Sequence, residues 1–226
     1  MTPVQDAARQ ITVRISSRSD RLRVVAEARA DVLVEGVASV QRDGSCTTID
    51  STGRRIVVRV PLGADVVIGT TTARVEVEGP VGQLAIVTKS GRVSVADATS
   101  VDIRTSSARV DVGRTSDECC VRTSSGRVEI GACGSADVTT KSGRIVVQAA
   151  NGPVKAHCVS GRVEVGLMAP EDVAAETVSG RIHVTVPHGV AVTTNDDRSL
   201  LTAWPGGAEA NITARTVSGR VDVSSK

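Results

Sequence analysis

Nine residues recur along this chain, and their spacing limits the fold more than any other feature. TSSGRVEIG stands at 123–131, TKSGRIVVQ at 140–148, CVSGRVEVG at 158–166 and TVSGRIHVT at 177–185. The arginine of each copy serves as a ruler. It falls at Arg74, Arg92, Arg109, Arg127, Arg144, Arg162 and Arg181, with spacings of 18, 17, 18, 17, 18 and 19 residues. Arg55 lies 19 before Arg74, and Arg220 lies 39 after Arg181, about two periods. Repetition at a short fixed period decides the architecture before any local propensity is consulted.

Each period reads as two short strands. In VRTSSGRVEI, Val121, Thr123, Val128 and Ile130 take one parity, and Arg122, Arg127 and Glu129 take the other. That is the period-2 pattern of half-buried strands. Turn residues punctuate the copies, as in GPVGQ at 79–83, DATS at 97–100 and NGP at 151–153.

Two arrangements satisfy the pattern: an antiparallel meander with S-G as its hairpin turn, or a β-solenoid in which each period is one coil. The slot before the arginine favours the solenoid. It holds Gly91, Gly126, Gly143, Gly161, Gly180 and Gly219, but Ala73 and Ala108 in two copies. A two-residue hairpin turn needs positive φ at both central positions, which alanine resists. A crowded corner between stacked coils needs only a small residue. The expectation is an all-β solenoid of about nine coils, each near 18 residues with two strands, ~40 Å long at the usual strand spacing.

Stacking places like on like. Thr88, Thr105, Thr123, Thr140, Thr177 and Thr216 are expected to form an inward ladder, their hydroxyls bonding along the stack, with Cys158 in the same slot. A slim coil leaves little room, which accounts for the absence of Phe and Tyr and the single Trp204. Residues 1–50 do not keep the period and are read as an N-terminal β cap or layer. Residues 51–226 are the solenoid, with a degenerate coil and loop at 186–211, where Trp204 reads as an apolar plug in a turn.

Forty per cent apolar content with a net charge of +2 excludes a disordered tail and a strongly basic nucleic-acid binder. No apolar run approaches the ~20 residues of a membrane helix. The start, MTPVQDAARQ, lacks the pattern of a secretion signal. The expected location is therefore cytoplasmic, with membrane association only through a partner. Five cysteines, Cys46, Cys119, Cys120, Cys133 and Cys158, have no framework spacing and read as reduced thiols.

The serial [TC]-x-S-G-R-[VI]-x-V motif, led in by VPLGADVVIGTTTARVEV at 60–77, resembles the bacterial toast-rack β-strand-repeat domains, candidate adhesins of unknown function. The resemblance covers roughly 50–226. It implies a stacked β fold without catalysis, in a family often associated with envelope-stress or membrane-associated regulation.

The arginine column points outward, and stacked like charges repel unless compensated. Glu76, Asp111, Glu129, Glu164 and Asp222 follow Arg74, Arg109, Arg127, Arg162 and Arg220 two residues on, so a ladder of ion pairs is one reading. Three copies lack that acid: Ser94, Val146 and His183 follow Arg92, Arg144 and Arg181. With Lys89 and Lys141 nearby, Arg92, Arg144 and Arg181 form the candidate anion- or partner-binding set. A protein or an anionic membrane surface are the partners considered. Nucleic acid is disfavoured without aromatic stacking platforms and with so little net charge.

His157, His183 and His188 have no ligand spacing, and the cysteines share no column, so no metal site is expected. Asn195, Asp196, Asp197 and Arg198 read as a solvated loop tip. No nucleophile elbow, Walker loop or dinucleotide fingerprint occurs. The expectation is a non-catalytic interaction scaffold without cofactor or small-molecule substrate. The alternative is a self-assembling structural protein, joined end to end through the coil TVSGRVDVSSK.

Overall fold

The computed structural model describes residues 11–18, 20–187, 191–194 and 209–225. Among them every regular element is a strand: β1 (Thr12–Ser17), β2 (Arg21–Glu27), β3 (Leu33–Asp43), β4 (Cys46–Pro61), β5 (Asp65–Thr70), β6 (Thr72–Thr115), β7 (Glu118–Cys133), β8 (Ser135–Ala150), β9 (Val154–Leu167), β10 (Val173–Val186), β11 (Ala191–Thr194) and β12 (Glu209–Ser225). No helix among these residues is long and apolar enough to cross a membrane.

The repeats lie flat on one another. Val121 in β7 is flanked laterally by Ile103 of β6 and Val138 of β8, one period before and one after. The same parallel register carries β8 onto β9, β9 onto β10 and β10 onto β12. Parallel pairing one period apart is the solenoid; a meander would pair its copies antiparallel. Each rung is a strand, a corner at the Ser-Gly pair, and a second strand.

The inward parity fills one continuous core. Val121, Ile130 and Ile145 are fully buried, and Val128 is 1% exposed. Leu22, Ile49, Ile103 and Ile182 are of the same kind, and all belong to a single cluster. Burying such a side chain is worth roughly 1.5–3 kcal/mol. Opposed strands of a slim coil leave room for branched aliphatics and little more, which explains the composition.

The corners come in two forms. Gly126 and Gly143 take φ of +144° and +142°. A Cβ on either would collide with the carbonyl oxygen of the preceding corner, Ala108 or Gly126. Among the described residues none other than glycine has positive φ, so Ala108 does not share the φ of Gly126 and Gly143. Ala108 is buried, 4% exposed. The slot therefore selects for smallness in two ways.

The threonine ladder is present, but its hydrogen bonds run differently from expectation. Thr105, Thr123, Thr140, Cys158, Thr177 and Thr216 stand in one column; Thr123, Thr140, Cys158 and Thr177 are buried there, as is Thr88, whereas Thr105 and Thr216 are half-buried. The hydroxyls do not bond to one another along the stack. Thr123 Oγ1 donates to the Ser125 carbonyl at 3.0 Å, and Thr140 Oγ1 to the Ser142 carbonyl at 3.2 Å. Thr88, Thr123 and Thr140 thus each satisfy a carbonyl of their own corner, where the bend leaves backbone groups outside the ladder; Thr105 Oγ1 donates to the Lys89 carbonyl of the preceding rung, and Thr177 Oγ1 has no hydrogen-bond partner among the described residues.

The first 50 residues do more than cap. β1 pairs in parallel with both β4 and β5, and β2 with both β4 and β6. Residues 12–27 are thus a rung inserted between 46–61 and 65–78. Only β3 behaves as a cap, lying antiparallel on β4 with a bulge between Gly36 and Ala38. Intercalation buries Val13, Ile15, Leu22 and Val24 completely or nearly so, which a terminal layer with one covered side could not do. The other end repeats the device. β12 lies between β10 and β11, whose Ala191–Thr194 pairs with Glu209–Ile212. The last coil in sequence is therefore covered over Glu209–Ile212. Trp204 and the 195–198 tip lie outside the described residues.

Candidate functional site

Outward side chains form two faces, one from the first strand of each rung and one from the second. The second-strand face carries the arginine column in lateral register: Arg109, Arg127, Arg144, Arg162, Arg181 and Arg220. Arg21 joins it between Arg55 and Arg74. Its context, D-R-L-R-V, keeps the R-[VIL]-x-V signal with Asp20 in the glycine slot, which is where the sequence reading lost it.

Among the described residues five arginines of this column, Arg74, Arg92, Arg109, Arg127 and Arg162, are neutralised by acids. Arg74 meets Glu76 at 2.7 Å, Arg127 meets Glu129 at 2.9 Å and Arg162 meets Glu164 at 3.3 Å, each within its own rung. Pairs also cross between rungs. Arg109 reaches Glu129 at 3.2 Å, and Arg92 reaches Asp111 at 2.9 Å. Arg92, without an acid two residues on, thus takes one from the next rung. Burial pulls the Asp111 carboxyl upward, but hydrogen bonds from Arg109 and Arg92 outweigh it and hold the group below its usual range. Arg220 and Asp222 make no ion pair with each other, although the four earlier copies of that motif do.

Arg144 and Arg181 have no acid two residues on, as their sequence context states. They flank Arg162 in the column, and across the register Val146 and His183 flank Glu164. Among the described residues neither arginine has an ion-pair partner. A shallow recess of about 380 Å³ opens alongside, lined by Gln148, Glu164, Gly166, Met168 and His183 among others.

Lys89 and Lys141 are not part of that face. They sit at the corner and border a separate trough on the first-strand face, together with Arg104 and Arg122. The sequence reading passed over these two arginines, although the doubled string R-T-S-S at 104–107 and 122–125 marks them. Five candidate residues thus separate into a paired arginine, two free arginines and two lysines of another surface.

The remaining titratable groups disperse. His157 Nδ1 lies 3.5 Å from Glu176, and His183 Nε2 contacts the hydroxyls of Thr185 and Ser224 at 3.3 and 3.4 Å. His188 lies outside the described residues. Burial, with a smaller contribution from Cys133, pushes the Cys119 thiol up to about 12. Burial alone pushes Cys133 up to about 11. Such thiols are poor nucleophiles.

A family model described as Toastrack DUF4097 matches residues 5–224. No curated protein matches. Two solved structures are similar over nearly the whole length. One is a candidate adhesin from Bacteroides fragilis, 11% identical with a TM-score of 0.42, covering 96% of this chain and 93% of that one. The other is a candidate cell adhesion protein from Clostridium sporogenes, 7% identical with a TM-score of 0.23, covering 98% and 95%.

Proposed function

The chain belongs to the Toastrack DUF4097 family, and from that premise we propose that it is a non-catalytic interaction scaffold whose second-strand face receives an acidic partner. The observation that carries this reading is the pair Arg144 and Arg181. Both project from the column without an acid, on either side of the Arg162–Glu164 pair. A sealed stack holds them in register, so an incoming acidic surface meets cations whose spacing is already fixed. The partner is an acidic protein or an anionic membrane surface. A role in membrane-associated or envelope-stress regulation, which the family resemblance implies, is part of the same reading. Self-association through the C-terminal coil is less favoured, because β11 pairs along part of the outer edge of β12.

Crosslinking in the native cell, followed by mass spectrometry, identifies the partner. Flotation with phosphatidylglycerol vesicles separates membrane from protein. Binding should weaken with salt and fall at least tenfold in Arg144→Ala with Arg181→Ala. Salt-insensitive binding, or binding that ignores both substitutions, contradicts the reading.

A further inference from the structure

We propose that the first-strand face carries an anion site of its own, suited to a linear chain of phosphate groups lying along the stack. Lys89, Arg104, Arg122 and Lys141 border one open trough of about 510 Å³. They stand on four consecutive rungs. Arg104 and Arg122 are direct lateral partners, about 4.8 Å apart as strand neighbours. Lys89 and Lys141 lie one rung beyond on either side, at the corner. The set therefore spans roughly 14 Å at that spacing.

The corner positions between the two lysines are Ser106 and Ser124, which line the same trough. Among the described residues no carboxylate lines it. Lys89, Arg122 and Lys141 have no ion-pair partner there, and Arg104 has one, Asp102 at 3.1 Å, which is not part of the lining. The neighbouring face is different, because acids are interleaved with its arginines and five of them are matched.

The cationic character is local and does not follow from the repeat. In later rungs the same corner column holds Val159, Val178 and Val217, exposed by 41%, 45% and 78%. Four like charges along one trough repel, and a multivalent anion relieves that repulsion while releasing counterions. The arginine forks suit phosphate oxygens, and the lysines act as point charges at each end. One orthophosphate reaches only the central arginines, whereas a linear triphosphate also engages a lysine. This site is independent of the Arg144 and Arg181 face.

Calorimetric titration of the full chain with inorganic tripolyphosphate tests the proposal. Expected are salt-dependent binding, binding of orthophosphate at least tenfold weaker, and at least a tenfold loss in Arg104→Ala with Arg122→Ala. Lys89→Gln with Lys141→Gln should remove most of the preference for the longer anion. Arg144→Ala with Arg181→Ala should leave the titration unchanged, which separates this site from the proposed partner face. The altered side chains are exposed, except half-buried Arg144, and unchanged thermal unfolding of each variant verifies the fold. If Arg104→Ala with Arg122→Ala unfolds, Arg122→Gln with Lys141→Gln takes its place. No tripolyphosphate binding, an equal loss in both arginine pairs, or retention on phosphatidylglycerol vesicles without tripolyphosphate binding would overturn the proposal.

Discussion

Asp111 accepts two hydrogen bonds from Arg92, at 3.1 Å from Nε and 2.9 Å from a terminal nitrogen, although the two residues are 19 positions apart. Arg109, two residues before Asp111, bonds to the same carboxylate. One acid therefore serves two rungs. The ladder is a shared network, and the acid missing after one arginine is supplied by the next coil.

Asp111→Asn leaves Arg92 with no acid and Arg109 with Glu129 alone. Exposed pairs are worth little, so chemical denaturation should show a loss of about 1 kcal/mol or less. A loss several times larger would show that this network holds the stack together.

Asp111 and Glu78 are both held below the ordinary carboxylate range. For Glu78 the hydrogen bond from Arg23, at 2.8 and 2.6 Å, is the main cause. A carboxyl depressed in the folded state stabilises the fold above its unfolded value, about 4, and loses that contribution as pH falls through the folded value. The thermal midpoint should therefore drop below about pH 4. Asp111→Asn with Glu78→Gln should flatten that acid limb. An unaltered limb would place the effect on other carboxylates.

Gly126→Ala adds a Cβ where φ is +144° and the Ala108 carbonyl oxygen blocks it. The expected cost is about 1–3 kcal/mol, the scale of backbone strain. Ala108→Gly keeps the corner and should cost about 0.5–1 kcal/mol. Equal costs would mean that both corners take the same conformation.

Val128→Asp puts an unpaired charge into the sealed interior and should cost about 3–5 kcal/mol. Val217→Asp, at a position 78% exposed, should stay within about 0.5 kcal/mol of the parent. Urea denaturation of both variants makes the comparison.

Cys119, Cys133 and Cys158 are buried, and burial raises all three thiols. Alkylation by iodoacetamide at pH 8 should mark Cys46 and Cys120 first, because both are partly exposed. The other three should react only on unfolding. Labelling of Cys119 in the folded protein at the rate of Cys46 would contradict the packing.

Much of the architecture was legible because the alternation in VRTSSGRVEI repeats at nearly constant spacing. Parity alone places Val128 inside and Arg127 outside, and a fixed period puts Arg127 beside Arg144. The expected partner set was less legible. Arg92 looked free because its acid is 19 residues away. Lys89 and Lys141 looked like companions of Arg92 and Arg144, but the Ser-Gly corner turns them toward another face. Local strings do not state how a corner divides neighbouring side chains.

The sequence by itself determined the rung: its length, its inward aliphatics, its threonine column and its small corner residue. All of these follow from short-range sterics and burial, which act within one period. Only the tertiary structure decided the order of rungs. Residues 12–27 enter between 46–61 and 65–78, and β12 enters beneath β11. Each rung presents nearly the same edge to either neighbour, so local pattern cannot rank one stacking order above another. Burial on both sides of the inserted rungs, which only the assembled stack provides, makes that choice.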